Sequence, residues 1–342
     1  MRTSRLLAIA AAGALALGLV ACSTPASPTN SSGSDSDASD GGFPVTISHA
    51  YGETTIPKKP VRVATVGWAN HEVPLALGVV PVGMEKATWA DDDGDGVLPW
   101  VEDKLKELGA ETPVLFDNVD GPDYEAIADT RPDVILSAYS GLSKEEYDRL
   151  SKIAPVIAYP GAAWGTSLDE MIEMDSRAIG LEKEGKALIE QLRSEAETAL
   201  DAHSELKDKK VLFAWFEESD LSQVGYYTPT DPRDGYLRDL GLPMPQIIAD
   251  NKDSSEFYLM LSAEEADKLD DVDLIVTYGD DSTLASLQAD PLLSKVPAIA
   301  EGHVAVLDRT APLAAAANAS PLSVSWGISD YFDLMSSALA AQ

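Results

Sequence analysis

Apolar and polar positions alternate in two blocks along the chain. In the first, residues 45–57 predict a β-hairpin turning near Gly52. Short apolar runs follow at 61–66, 79–83, 133–137 and 155–159, with helical segments between them, one of which ends at 75–78. In the second block the runs recur at 211–215, 274–277 and 304–307. Short apolar strands alternating with helices predict an α/β fold with a largely parallel sheet. Between the blocks, 181–205 contains no proline and one glycine, Gly185. Leu188, Ile189, Leu192, Ala196 and Ala199 recur there at helical spacing, predicting one amphipathic helix of about 24 residues and about 35 Å. The expected architecture is two Rossmann-like lobes, at 43–180 and 206–342, joined by the helix 181–205. A single rigid helix as the sole connection leaves little hinge motion.

A weak repeat supports two lobes. Residues 124–136 place Glu125 at a helix start, then Asp133 and an apolar strand; residues 262–276 repeat that order with Glu264 and Asp273. An acid in a first helical turn suits the helix dipole. That role explains either glutamate alone and does not predict a matched pair.

The first residues change the picture of where the lobes work. Arg2 and Arg5 precede an uncharged apolar run at 6–21, short for a membrane span and normal for a signal peptide. It ends in Leu19-Val20-Ala21-Cys22, which resembles the bacterial lipobox, and Cys22 is the only cysteine in the chain. A plain secretory signal is the alternative. Residues 23–42 are almost entirely small and polar and cannot bury enough apolar surface to fold. They read as a tether from an acylated Cys22 to a domain at the outer face of the cytoplasmic membrane, where ATP and NADH are not supplied.

Lys and Arg total 25 against 57 Asp and Glu, a formal net charge of −32. So acidic a surface excludes nucleic acid as a partner class. Phosphate-loop, nucleophile-elbow and metalloprotease motifs are absent from the sequence. A surface-tethered hydrolase is thereby left as a remote alternative. Residues 91–102 fit the calcium-loop pattern: Asp91, Asp93, Asp95, the Val97 carbonyl and Glu102 fall at the ligand positions, with Gly96 at the turn. Pro99 is unusual in such a loop, and a solvated acidic loop is the competing reading.

Residues 49–63, His-Ala-Tyr-Gly-Glu-Thr-Thr-Ile-Pro-Lys-Lys-Pro-Val-Arg-Val, resemble the opening of the iron-siderophore and vitamin B12 substrate-binding proteins of ABC importers, the class III type with a helical backbone. Glu72 followed by residues 76–83, Glu125-Ala126-Ile127 with residues 131–135, and Lys152-Ile153-Ala154-Pro155-Val156 continue the likeness. The resemblance runs from about Phe43 to the C-terminus. It implies a monomeric binding protein rather than an enzyme, with a shallow cleft between two lobes at the carboxyl ends of the strands. A ferric siderophore is the expected ligand, carrying iron only as part of itself; cobalamin or haem on the same fold is the alternative. Glu125 and Glu264 are expected to dock onto arginines of the permease, which its ATPase drives.

Within such a cleft, Trp68, Trp89, Tyr139, Trp215 and Tyr278 stand near strand ends. They suit a bulky ligand with an apolar envelope. Arg233 and Arg309 could fork onto the oxygens of a ferric chelate. Tyr227, with Tyr226, is expected on a loop beside Gly225 as a lid aromatic.

Overall fold

The computed structural model describes residues 42–217 and 219–341, so the predicted signal, Cys22 and nearly all of the tether lie outside the described residues. The chain opens with the hairpin β1 (Val45–His49) and β2 (Gly52–Ile56). Gly52 pairs with His49 at φ +120°, a turn geometry that a side chain resists. Ile47 and Ile56 are buried on the face that packs against the first lobe, beside Val63, Val134 and Ile157.

That lobe is an all-parallel sheet of β3 (Val63–Thr65), β4 (Gly83–Glu85), β5 (Val114–Phe116), β6 (Val134–Leu136) and β7 (Val156–Ile157), in the order β5-β4-β3-β6-β7. Helices α1 (Glu72–Ala76), α2 (Pro99–Glu107), α3 (Tyr124–Asp129), α4 (Lys144–Leu150) and α5 (Leu168–Ala178) connect or cover its strands. The run expected as a strand at 79–83 pairs four residues later. Pro81 has no N–H to give the ladder, so bonding starts with Val82 donating to the Val63 carbonyl. The strand expected at 61–66 is trimmed at both ends, and Val61 is 83% exposed.

Helix α6 (Glu182–Ala202) then leads to the second lobe. Its sheet holds β8 (Val211–Glu217), β9 (Asp220–Tyr227), β10 (Tyr258–Ser262), β11 (Leu274–Gly279) and β12 (Val304–Asp308), in the order β10-β9-β8-β11-β12. The two orders match, with the lobe's first long-range strand at the centre of each. The difference is that β8, β9 and β10 run antiparallel, so a meander replaces the helical crossovers of the first lobe. Around this sheet lie α7 (Pro232–Asp239), α8 (Gln246–Ala249), α9 (Thr283–Ala289), α10 (Pro297–Ala300), α11 (Pro312–Ala316) and α12 (Ser323–Ala340).

The sequence repeat has a structural counterpart. Asp133 Oδ2 accepts the amides of Val61 and Arg62, and Asp273 Oδ2 accepts that of Lys210. In each lobe the repeated aspartate therefore ties the entry of one central strand to that of its neighbour.

The C-terminal segment assigned to the second lobe also packs on the first. Ala315 packs with Leu75, Met84 and Trp100, and Ala319 and Val324 pack with Val73 and Ile172, all in the first lobe. Further along α12, Phe332 and Met335 enter the second lobe's core. Helix α6 is thus not the sole connection: α12 packs alongside it and belongs to both lobes.

Asp175, on α5, is fully buried, and neither carboxylate oxygen has a partner among the described residues. Burial pushes its carboxyl well above the ordinary range, so the folded protein keeps the proton that the unfolded chain gives up. Stability should therefore fall as pH rises from the ordinary carboxylate range toward the raised folded value, by up to about 1.4 kcal/mol per pH unit. Asp175→Asn should remove that slope. Urea midpoints of both proteins between pH 4.5 and 7.5 should diverge with rising pH, the variant being the more stable; parallel curves would show that Asp175 does not carry the proton.

Candidate functional site: an aromatic cleft between the lobes

The loops leaving the first lobe's strands converge on the start of α7. Between them lies a cavity of about 250 Å³ lined by Trp68, Glu85, Trp89, Tyr139, Trp164, Asp231, Arg233, Phe257 and Asn318. Trp68 follows β3, Glu85 ends β4, Trp89 follows β4, and Tyr139 lies three residues past β6. This is where an α/β sheet places its ligands. The volume is below the ~300–1,000 Å³ typical of pockets that engulf a small molecule, so the cavity has room for only part of a bulky one.

The first lobe supplies an aromatic wall. Trp68 and Trp89 have ring centroids 6.2 Å apart, and Tyr139 meets Trp164 edge-on at 5.4 Å. Trp164 holds φ +58°, an uncommon conformation for a bulky residue, and packs over Gly141, where a Cβ would lie 2.3 Å from the indole nitrogen.

The second lobe supplies a fixed cation. Asp231 caps α7 by accepting the Arg233 amide, and its carboxylate also receives Arg233 Nη1 at 2.8 and 3.1 Å. Arg233 Nε donates to the Tyr278 hydroxyl at 2.8 Å, and the guanidinium lies 4.5 Å from the Tyr227 ring centroid. Burial opposes the charge, but Tyr278 and Asp231 hold the guanidinium protonated. Burial likewise raises the Asp231 carboxyl, with Arg233 pulling it back. Tyr227 is pushed up to about 12 by burial, partly offset by Arg233, so its hydroxyl stays neutral.

The expected ligand residues divide accordingly. Trp68, Trp89, Tyr139 and Arg233 line the cavity together. Tyr278 and Tyr227 stand behind Arg233, and Tyr278 also meets Trp89 edge-on at 5.2 Å. Tyr227 is not on a lid loop: it ends β9, while Tyr226 faces the opposite side of the sheet and is buried there. Trp215 is not among the lining residues; it covers Gly225 on β9, where a Cβ would lie 2.1 Å from the indole. Arg309 is exposed in the turn after β12, its amide donating to the Gly279 carbonyl. The lining residues that strand-end reasoning missed are Glu85, Trp164, Asp231, Phe257 and Asn318. Trp164 lies seven residues past β7, and the rule that found Trp68 would have reached it if extended along that loop.

The acidic loop lies on the first lobe. Asp91, Asp93 and Asp95 bring carboxylate oxygens within 4.8 Å of one another. Asp91 accepts the amides of Gly94 and Gly96, Asp93 that of Asp95, and Asp95 that of Val97. Partial desolvation and the charges of Asp95 and Asp93 raise the Glu102 carboxyl, which sits on α2. No helix precedes the loop, and Pro99 is the first residue of α2.

Glu125 and Glu264 occupy matched places. Each is exposed and second in its helix, α3 and the 3₁₀ turn Ala263–Leu269, behind the capping side chains of Asp123 and Ser262.

The fold and site have counterparts in known proteins. PiaA of Streptococcus pneumoniae TIGR4, solved in complex with ferrichrome, is 47% identical and superposes with a TM-score of 0.83 over 87% of this chain and 99% of its own. The iron(3+)-hydroxamate-binding protein YxeB of Bacillus subtilis is 25% identical over 230 residues, 67% of this chain and 64% of its own. YfiY of the same organism, named a probable siderophore-binding lipoprotein, is 28% identical over 265 residues, 76% of this chain and 74% of its own. The family model matches residues 63–311, from β3 to the end of the second lobe's sheet, and the chain belongs to the periplasmic binding protein family.

Proposed function

We propose that this protein captures a ferric siderophore in the interlobe cleft and delivers it, without chemical turnover, to an ABC permease. The observation that carries the reading is the cleft itself: three indoles and Tyr139 line one cavity with a partly buried, permanently charged Arg233. Aromatic faces take the apolar envelope of a chelate, while a guanidinium donates to the oxygens that ligate iron.

The charges favour one chelate class. Asp231 already neutralises Arg233, and Glu85 adds a carboxylate, so the lining carries no net positive charge. A ferric trihydroxamate, neutral at its iron centre, fits that lining better than a trianionic ferric tris-catecholate. The ferrichrome in PiaA and the hydroxamate named for YxeB support the same class. Tryptophan fluorescence should quench on addition of a ferric trihydroxamate, with a Kd on the order of micromolar or tighter. Quenching by cobalamin or haem with no response to any ferric chelate would overturn the assignment.

Delivery requires an address and a dock. The lipobox-like segment before Cys22 and the lipoprotein name of YfiY support a lipid anchor on the outer face of the cytoplasmic membrane. No helix among the described residues is long and apolar enough to cross a membrane. Cys22→Ala should move the protein from the membrane fraction to the soluble fraction or medium; retention in high salt would argue against acylation.

Glu125 and Glu264 are the proposed contacts to permease arginines, one exposed carboxylate on each lobe. Reversing both charges, Glu125→Arg with Glu264→Arg, should abolish cellular uptake while leaving the solution Kd unchanged, because neither residue lines the cleft. Normal uptake by the double variant would remove both from the docking surface.

A further inference from the structure

Glu85 is the one acidic residue that the first lobe brings to the cleft, and its two oxygens differ. Oε2 accepts the Gly67 amide at 2.6 Å and Asn118 Nδ2 at 2.8 Å. Gly67 holds φ +88°, and a Cβ there would lie 2.7 Å from the Tyr139 carbonyl, so the residue that orients the carboxylate must be glycine. Oε1 has no hydrogen-bond partner among the described residues and is not among the buried unpartnered atoms. Glu85 lines the cleft cavity, so Oε1 is an unengaged acceptor on a side chain held there; burial raises the carboxyl, and the hydrogen bonds from Gly67 and Asn118 pull it back.

Glu85 also lines a second cavity of about 70 Å³ behind Trp68, which shares only these two residues with the first. His71 and Lys86 line that cavity too: burial lowers the His71 ring pKa to about 4, so it is neutral at neutral pH, and the Lys86 side chain is exposed and makes no ion pair with Glu85. Trp68, Trp89 and Tyr139 line the cleft with Glu85, and aromatic rings of this kind attract a cation. Across the cleft, Arg233 is occupied by Asp231 and Tyr278 rather than by Glu85.

We infer that Glu85 forms a subsite for a cationic arm of the ligand, so that the protein prefers a ferric trihydroxamate bearing a primary ammonium over the same chelate without that charge. This rests on the siderophore-binding reading above. The ammonium gains a charge-assisted hydrogen bond to Oε1 and the aromatic faces beside it. Oε2, already held, keeps the carboxylate from following the ligand, which limits the ordering cost of binding.

The test compares a linear ferric trihydroxamate carrying a terminal ammonium with the same chelate N-acetylated, by fluorescence titration of the full folded chain. Wild type should bind the ammonium form about tenfold tighter or better. Glu85→Gln, which keeps an acceptor for Gly67, should bring the two affinities within about twofold by weakening only the ammonium form. Equal affinities in wild type would overturn the inference, as would an unchanged ratio in a Glu85→Gln protein that melts cooperatively. If that variant does not fold, the wild-type ratio decides alone. Tight binding of both chelates with no preference removes the subsite and leaves the siderophore reading standing, whereas no binding of either removes both.

Discussion

A buried carboxylate joins the first lobe to the start of α12. Glu72, on the short helix α1, receives Trp100 Nε1 at 2.7 Å, Ser320 Oγ at 2.5 Å and the Leu322 amide at 2.8 Å. Burial alone would raise its pKa steeply, and these donors pull it back. The carboxylate thereby satisfies the Leu322 amide at the start of α12, where the N-cap residue is a leucine that cannot cap, and anchors Ser320, whose Oγ accepts the Ser323 amide. Hydrogen bonds to charged groups are worth about 1.5–3 kcal/mol each, and losing the acceptor would strand several buried donors. Because α12 continues into the second lobe's core, this contact sets where that lobe hangs. It also fixes Asn318, which donates to the Tyr139 hydroxyl at 3.2 Å in the cleft wall. The cleft wall is thus tied to a residue that does not line the cleft cavity.

The lobes share a strand order but divide the chemistry. Parallel strands in the first lobe all point their carboxyl ends at the cleft, so each following loop can deliver a side chain there. That geometry yields Trp68, Trp89 and Tyr139 from three different loops. In the second lobe the β8–β9–β10 meander takes three of the five strands, and the cleft receives its charge from the first turn of α7 instead. The capping aspartate of that helix is also the partner of Arg233, so one carboxylate both starts the helix and aims the guanidinium.

Much of this was legible in the sequence because strands buried on both faces leave continuous apolar runs. Six of the seven such runs became strands close to where they were expected. The seventh slid because Pro81 forbids the ladder that its valines suggest. The meander was hidden for a different reason: 220–227 mixes Ser, Gln and Gly with its apolar residues, and its pairing depends on β8 rather than on its own pattern. The cleft divided along the same line. Residues just past a strand, such as Trp68, follow from the pattern, whereas Phe257 and Asn318 reach the cavity only through tertiary contacts that no local spacing encodes. Trp215 was misplaced because the side chain at a strand's end can face the sheet rather than the cleft, and Gly225 opposite left room for its indole.

The charge balance of the cleft makes physical sense against the charge of the whole. With a formal net charge of −32, the protein repels an anionic chelate approaching within a Debye length, about 8 Å at physiological salt. A bare arginine could offset that locally, but an unpaired guanidinium this buried would carry a desolvation penalty of several kcal/mol. Pairing Arg233 with Asp231 removes most of that penalty and leaves the guanidinium as a directed donor rather than a source of field. Affinity must then come from aromatic area and from a few placed donors and acceptors, which act only on contact. A cleft of about 250 Å³ has room for only part of a bulky chelate. Short-range contacts over a limited area suit a carrier, because they give specificity without enclosing the ligand.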